Sequence, residues 1–148
     1  MDYAGFWRRF VAYLIDYLVV LVGSLAVGFV IGFIAGVSGA EKIEGPWLAA
    51  IYAAAIAGYY LYYALMESSS HQATVGKIAL GIKVTDLDGN PITFWRAFGR
   101  SVAKILSAIT LFIGYIMAAF TERKQALHDK IANTLVVKRT SAPGDPAA

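Results

Sequence analysis

Three uncharged stretches dominate the pattern of hydrophobic and polar positions along the chain. Residues 17–40 and 45–66 contain no charged side chain, and residues 105–121 form a shorter third stretch. A helix needs about 20 apolar residues to cross the roughly 30 Å hydrocarbon layer of a bilayer. The pattern therefore predicts an all-α transmembrane protein with about three membrane helices, over residues of about 6–37, 46–66 and 94–121.

The segment between the second and third stretches has a different pattern. Residues 82–85 alternate like a strand, residues 88–91 have the composition of a turn, and residues 92–94 are placed to pair back. We expect a small cytoplasmic surface hairpin here. Thr93 is suited to cap the third helix, whose first half is amphipathic because Arg96, Arg100 and Lys104 follow at four-residue steps.

Composition agrees with membrane insertion and limits the chemistry. The chain is 58% apolar, its mean hydropathy is +0.59, and it has no cysteine. Residues 1–139 are predicted to form one domain, and residues 140–148, rich in Pro, Gly and Ala, a disordered tail. No cluster of residues marks a catalytic or metal centre, so we expect a protein that is not an enzyme and needs no metal or cofactor.

The distribution of charge predicts partners and orientation. The net charge of +3 comes from basic residues that flank the apolar stretches, where anionic lipid headgroups attract them, so we expect the lipid bilayer and no nucleic acid as a partner. The first linker has only Lys42 against Glu41 and Glu44. The positive-inside rule therefore places this linker outside and the amino terminus in the cytoplasm.

Small residues recur at four-residue spacing in the first two helices. Such ridges let helix backbones approach closely in lipid. The pattern predicts close packing of helices one and two, within one chain, in a homo-oligomer or with other membrane proteins. The ridge residues are Ser24, Gly28, Gly32 and Gly36 in the first helix and Ala50, Ala54 and Gly58 in the second.

Asp16 is the charged residue that lipid explains least. It lies about 10 Å deeper than Arg9 along the first helix, and a carboxylate near membrane depth costs about 2.5–3.5 kcal/mol. Asp16 shares its ridge with Ser24 and Gly28, so it should face protein. Arg9 is too far away for direct contact, which leaves two interpretations: a structural carboxylate satisfied by another group, or a proton or cation site.

Three segments carry a family resemblance: residues 5–10 leading to Asp16, residues 73–77 with 81–84, and residues 125–132 with Thr134. Together they resemble the RDD family of bacterial and archaeal membrane proteins. The resemblance implies a compact multi-helix protein of the cytoplasmic membrane, and transport has been proposed for the family in general. The family's name-giving arginine and two aspartates match Arg9, Asp16 and Asp129.

The resemblance also bears on neighbouring residues. A further family arginine matches either Arg96 or Arg100, and His128 adjoins Asp129. Asn133 stands where the family commonly has a glycine. If Arg9, Asp16 and Asp129 form one charge network, the two ends of the chain must meet.

Two functions from different classes fit these features. One is a small oligomeric ion or proton-coupled transporter, in which Asp16 titrates. The alternative is a membrane scaffold or accessory subunit with a purely structural charge network, whose basic segment 77–104 binds lipid headgroups or a partner.

The two ends of the chain raise a conflict of topology. Three full crossings would put the amino terminus and the carboxy-terminal tail on opposite sides, although both are basic. Because the third stretch is short and contains Gly114, we favour the hypothesis that it enters the bilayer and returns.

Overall fold

A computed structural model describes the backbone of residues 1–109 and 113–139, and their side chains except those of 108 and 113–115. The predicted tail, residues 140–148, lies outside the described residues. The elements in chain order are α1 (Phe6–Val37), α2 (Pro46–Ser68), α3 (Val75–Ala79), β1 (Ile82–Asp86), α4 (Phe94–Ile109), α5 (Ile113–Phe120), α6 (Leu127–Ile131) and β2 (Thr134–Lys138).

The two long helices form where the hydropathy pattern predicts them. α1 and α2 are long and apolar enough to cross a membrane. Pro46 opens α2 in its first turn, where its missing N–H costs no hydrogen bond. Large apolar side chains on α1 remain outside the protein core, Phe29 being 76% and Val22 66% exposed. Such a surface is stable against lipid and not against water.

α1 and α2 run antiparallel, because Asp16 meets Tyr62 while Gly28 faces Ile51. A Cβ added at Gly28 would lie 3.8 Å from the Ile51 Cγ2 atom, so the small residue does bring the helices together there. At Gly32 and Gly36 an added Cβ would meet nothing within 4 Å. Close packing of Gly32 and Gly36, which was predicted within one chain or between chains, is therefore not made by these two residues within the single chain, and contact with another chain stays a prediction.

The small residues of the second helix do not pack tightly against those of the first. Ser24, Ala54 and Gly58 line a cavity of about 280 Å³ between the helices, and Ala50 is exposed. Small side chains at this level therefore leave space between the two helices.

The stretch predicted as a third membrane helix, residues 94–121, contains α4 and α5 within the described residues. α4 and α5 have 16 and 8 described residues, or about 24 and 12 Å of rise, each less than the roughly 30 Å of a full span. Thr93 does cap α4, since its hydroxyl oxygen accepts a hydrogen bond from the Arg96 amide at 3.3 Å. α4 buries its polar face, with Arg100 and Lys104, and exposes apolar residues such as Leu106 and Ile109.

The ends of the α4–α5 segment lie close together. Arg100 near the start of α4 bonds to Asp129, while Ala118 near the end of α5 lines the same cavity as Arg100 and Ala126. The described parts of α4 and α5 therefore pack against one region of the protein, next to α6.

The small sheet does not have the predicted partner. β1 pairs antiparallel with β2, from Ile82 opposite Lys138 to Asp86 opposite Thr134, and Tyr3 forms a further bridge to Val137. Residues 92 and 93 form no strand and residue 94 begins α4, so the predicted pairing of residues 92–94 with β1 is not found. The turn itself is present, because the Asp86 carboxylate accepts the Asn90 amide at 2.8 Å.

The core of the region outside the long helices is built from this sheet. Ile82, Val84 and Val136 are fully buried and pack with Ala4 and Ile92. Ile92 thus contributes its side chain to the core instead of its backbone to a strand. This core brings the amino terminus, β1 and β2 together beside the start of α1.

Candidate functional site

Asp16 is buried and held by three hydrogen bonds. Its Oδ2 atom accepts from the Thr74 hydroxyl at 2.6 Å, and its Oδ1 atom accepts from the Tyr62 hydroxyl and the Gly76 amide, each at 2.8 Å. Asp16 (1% exposed) therefore satisfies its charge with neutral donors. We call Asp16, Tyr62, Thr74 and Gly76 the Asp16 site.

Gly76 allows this site to form. A Cβ at position 76 would lie 2.0 Å from the Ala12 carbonyl oxygen and 3.0 Å from the Asp16 Cγ atom. Both neighbours belong to α1, so the start of α3 packs directly on that helix backbone. A glycine is required because a larger residue would force α3 away from α1.

A second group of charged residues lies beside the Asp16 site and is centred on Arg100. Its guanidinium Nη1 atom donates to both Glu67 carboxylate oxygens, at 2.8 and 2.7 Å. Its Nε and Nη2 atoms donate to Asp129 Oδ1 at 2.8 and 2.7 Å. One buried arginine from α4 thus joins a carboxylate of α2 to a carboxylate of α6, with the forked geometry that arginine favours.

Two more cations complete this group, which we call the ion-pair cluster (Arg9, Glu67, Lys77, Arg100 and Asp129). Lys77 of α3 bonds to Glu67, and Arg9 of α1 bonds to Asp129. The Arg9 Nε atom also donates to the Ala4 carbonyl oxygen at 3.0 Å. The cluster therefore connects five helices, α1, α2, α3, α4 and α6.

The charge states in the cluster follow from burial and from its neighbours. Burial alone would raise the pKa of Asp129, but the Arg100 and Arg9 guanidinium groups hold it well below its usual range. Burial lowers the pKa of Lys77, although Glu67 opposes the shift. Asp129 is thus an anion at neutral pH.

His128 is a buried neutral side chain beside the cluster. Burial lowers its pKa to about 3, and the nearby Arg100 and Lys104 charges act in the same direction. Its Nδ1 atom lies 3.0 Å from the Ser107 hydroxyl oxygen, and its Nε2 atom lies 3.6 Å from Asp129. His128 therefore links α6 to α4 by a neutral hydrogen bond.

The structure brings most of the residues of the proposed charge network together. Arg9, Arg100 and His128 all lie at Asp129, and the two ends of the chain meet there. Asp16 has different partners and forms no ion pair with Arg9 among the described contacts. Arg96 is exposed, so Arg100 is the arginine that enters the cluster.

Several residues at the site are not singled out by the sequence patterns. Glu67 ends an apolar stretch and reads as the polar boundary of a helix, yet it is fully buried. Lys104 is also buried, with its Nζ atom 3.4 Å from the centre of the Tyr63 ring. A signal did exist in residues 73–77, which supply Thr74, Gly76 and Lys77.

Both carboxylates lie at one end of the long helices. Asp16 directly precedes the uncharged residues 17–37 of α1, and Glu67 directly follows the uncharged residues 46–66 of α2. Each uncharged segment rises about 31 Å, the thickness of the hydrocarbon layer. When these segments span the bilayer, the Asp16 site and the ion-pair cluster lie at its boundary and not at its midplane.

A cavity of about 370 Å³ adjoins both groups. Its polar lining is formed by Arg9, Asp16, Lys77, Arg100, Lys104 and His128. Its apolar lining includes Phe6, Phe10, Tyr13 and Ile116. The cavity is therefore lined by both basic and apolar side chains.

Arg9, Asp16 and Asp129 all lie within the part of the chain that matches a known protein family. Residues 3–133 match the RDD family. The chain belongs to the RDD family. This RDD protein is an integral membrane protein, as its apolar long helices also indicate.

Relatives of this RDD protein occur in Bacillus subtilis. It is 40% identical to "Uncharacterized protein YxaI", over 90% of this chain and 96% of the relative. It is 33% identical to "Uncharacterized membrane protein YteJ", over 91% of this chain and 80% of that protein. It is 30% identical to "Uncharacterized protein YckC", over 96% of this chain and 87% of that protein. No solved structure matches the chain.

The backbone conformation of Asn133 explains why this RDD protein can have asparagine where the family commonly has a glycine. The residue has a φ of 51°, in the left-handed region, just before β2 begins. Glycine adopts this conformation without strain, and asparagine tolerates it better than most residues do. The turn into β2 therefore keeps its geometry.

Proposed function

We propose that this RDD protein is a membrane scaffold or accessory subunit of the cytoplasmic membrane, with a charge network that serves the fold. α1 and α2 are the anchor, and the region from α3 to β2 is a folded head at the membrane surface. One observation carries the proposal: the buried charges of the described residues lie in one region, beyond the uncharged segments 17–37 and 46–66.

The geometry of this region supports a structural role. Each carboxylate in the ion-pair cluster has at least two partners on other helices, and Asp16 accepts three hydrogen bonds. Charges that are fully paired in this way fix the relative positions of helices and lose stability when one partner is removed. Carriers usually bind their cargo near the midplane, between repeated halves, where this chain has uncharged helix.

The orientation follows from charge bias. The linker at residues 38–45 has Lys42 between two glutamates, whereas the head carries most of the lysines and arginines. The positive-inside rule then puts the head and the amino terminus in the cytoplasm. In this arrangement α4 and α5 enter the bilayer from the cytoplasmic side, with their exposed apolar side chains toward lipid.

The second candidate function is cation or proton transport by an oligomer. It is favoured by one observation, that Asp16 lines the 370 Å³ cavity and could exchange a proton with it. It requires that copies of the chain create a pathway along α1 and α2, where Gly32 and Gly36 leave room for a close approach.

A flux assay separates the two functions. We expect the purified protein in proteoliposomes to move protons, Na⁺ and K⁺ no faster than protein-free vesicles. We expect Asp16→Asn to lower the melting temperature, because an amide cannot accept from all three donors. Cation or proton flux that is present in the native chain and in exposed-site control Asp88→Asn, but lost in Asp16→Asn, would establish transport and refute the proposal.

A further inference from the structure

The 370 Å³ cavity has an excess of positive charge. Four basic side chains line it, from Arg9, Lys77, Arg100 and Lys104, against one carboxylate, that of Asp16. The other two carboxylates of the region, Glu67 and Asp129, form ion pairs with these cations and do not line the cavity. An anion placed in the cavity would therefore meet cations first.

The carboxylate oxygens are already engaged by donors of the protein. Both Glu67 oxygens accept from Arg100, both Asp129 oxygens accept from arginines, and both Asp16 oxygens accept hydrogen bonds. These carboxylates are therefore paired with cations of the protein, and Arg9, Lys77 and Arg100 are paired in turn. Among the described residues, a donor atom without an acceptor is found on Arg9.

Arg9 supplies a donor that its protein neighbours do not use. Its Nη1 atom bonds to Asp129 and its Nε atom to Ala4, but the buried Nη2 atom has no hydrogen-bond partner among the described residues. A buried guanidinium N–H without an acceptor is costly. An oxygen atom of a bound anion in the cavity would satisfy it.

The mouth of the cavity is apolar. Phe10 and Tyr13 of α1 and Ile116 of α5 line it and are 42%, 43% and 44% exposed. Phe10 and Tyr13 precede residue 17, where the uncharged segment of α1 begins, by about 10 and 6 Å of helix rise. The mouth therefore lies at the depth of the lipid headgroups, with hydrocarbon next to it.

We propose that this cavity binds the phosphate of an anionic phospholipid, with the acyl chains leaving past Phe10, Tyr13 and Ile116. Its volume is in the range of small-molecule sites, about 300–1,000 Å³. Arg9 and Lys104 bind the phosphate oxygens, and the apolar mouth selects a lipid over a soluble phosphate. The inference rests on the placement of the cluster at the membrane boundary and not on the absence of transport, so lipid and flux results are interpreted separately.

Thermal protection of the full chain in detergent tests this site. The protein is heated with dioleoylphosphatidylglycerol, with dioleoylphosphatidylcholine, or with glycerol 3-phosphate and inorganic phosphate. The fraction that remains monodisperse is then measured by size-exclusion chromatography. We expect phosphatidylglycerol alone to raise the midpoint temperature, because bound ligand stabilises the folded state.

Two variants with matched controls locate the effect. Lys104→Gln removes a cation from the cavity and should raise the phosphatidylglycerol concentration needed for protection by about tenfold, whereas Arg8→Gln, on the exposed neighbour of Arg9, should leave it unchanged. Ile116→Trp narrows the mouth without touching the charges and should act in the same direction, whereas Ile109→Trp, on exposed α4 surface, should not.

Four results would overturn the proposal. Equal protection by both phospholipids would show that headgroup charge is irrelevant. Protection by glycerol 3-phosphate or inorganic phosphate equal to that of phosphatidylglycerol would show a site for soluble anions. An effect of Arg8→Gln as large as that of Lys104→Gln, or no effect of Ile116→Trp, would assign lipid binding to the general surface charge.

Discussion

Arg9 and Asp129 form an ion pair although 120 positions separate them in the chain. Arg9 belongs to the first turns of α1, and Asp129 to the single turn of α6. The contact is reinforced by backbone bonds from Ala4 to Val136 at 2.9 Å and from Lys138 to Asp2 at 2.8 Å. The amino terminus and residues 125–139 therefore lie side by side at the start of α1.

Asp129→Asn is expected to lower the free energy of unfolding by about 3–5 kcal/mol, because it leaves the part-buried Arg9 without its anionic partner and the buried Arg100 with Glu67 alone. Equilibrium denaturation of the detergent-solubilised protein measures this loss. Asp88→Asn, at an exposed position with no side-chain bond among the described contacts, serves as the control. Equal stabilities of the two variants would contradict a structural role for the pair.

Gly76→Ala is expected to abolish the folded protein or greatly reduce its yield. The added methyl group would overlap the Ala12 carbonyl oxygen, and backbone atoms of a packed helix cannot move aside cheaply. Gly99→Ala is the matched control, since a Cβ there meets nothing within 4 Å, and it should stabilise α4 by about 0.5–1 kcal/mol. Monodisperse yield after membrane extraction reports both effects. A normal yield for Gly76→Ala would show that α3 can leave α1.

Stability is expected to fall as pH decreases from about 6.5 toward 4. The pKa of His128 is about 3 in the folded protein and near 6.5 in the unfolded chain, so the unfolded state binds an extra proton in this window. The loss should approach 1.4 kcal/mol per pH unit below 6.5. Below about pH 3.8, Asp129 adds to the loss of stability. Burial alone would raise its pKa, but the Arg100 and Arg9 charges hold the pKa of the folded protein well below 3.8, so the unfolded chain binds a proton that the folded protein does not.

Denaturation midpoints between pH 7 and 5 test this dependence. His128→Asn should weaken the pH slope, although it also loses the hydrogen bond to Ser107 and starts from lower stability. His71→Asn, at an exposed position, should keep the native slope. An unchanged slope in His128→Asn would assign the acid sensitivity to other groups.

Thiol accessibility tests the orientation, and the absence of native cysteine makes a single introduced thiol unambiguous. In intact cells, Lys42→Cys in the linker between α1 and α2 should react with a membrane-impermeant maleimide. Lys130→Cys and Asp88→Cys, both on the exposed surface of the head, should react only after lysis. Ready reaction of Lys130→Cys in intact cells would place the head outside and reverse the proposed topology.

The sequence was informative wherever the determining interaction is local. The hydropathy pattern predicts a helix over about residues 6–37, which are the bounds of α1, Thr93 caps α4, and the composition around Asp86 predicts a turn. The membrane class is predicted by the same property, because a run of about 20 apolar residues is long enough to cross the hydrocarbon layer.

Only the tertiary structure decided which distant groups meet. β1 pairs with β2 and not with residues 92–94, Arg100 and not Arg96 enters the cluster, and Glu67 becomes a buried partner instead of a helix boundary. α4 turns its charged side chains inward, because Arg100 pairs with Glu67 and Asp129 and Lys104 is buried beside them. Hydropathy indicates which segments are stable in lipid. The choice of partner depends instead on where packed helices point their side chains, and on the high free-energy cost of burying a charge without an opposite one.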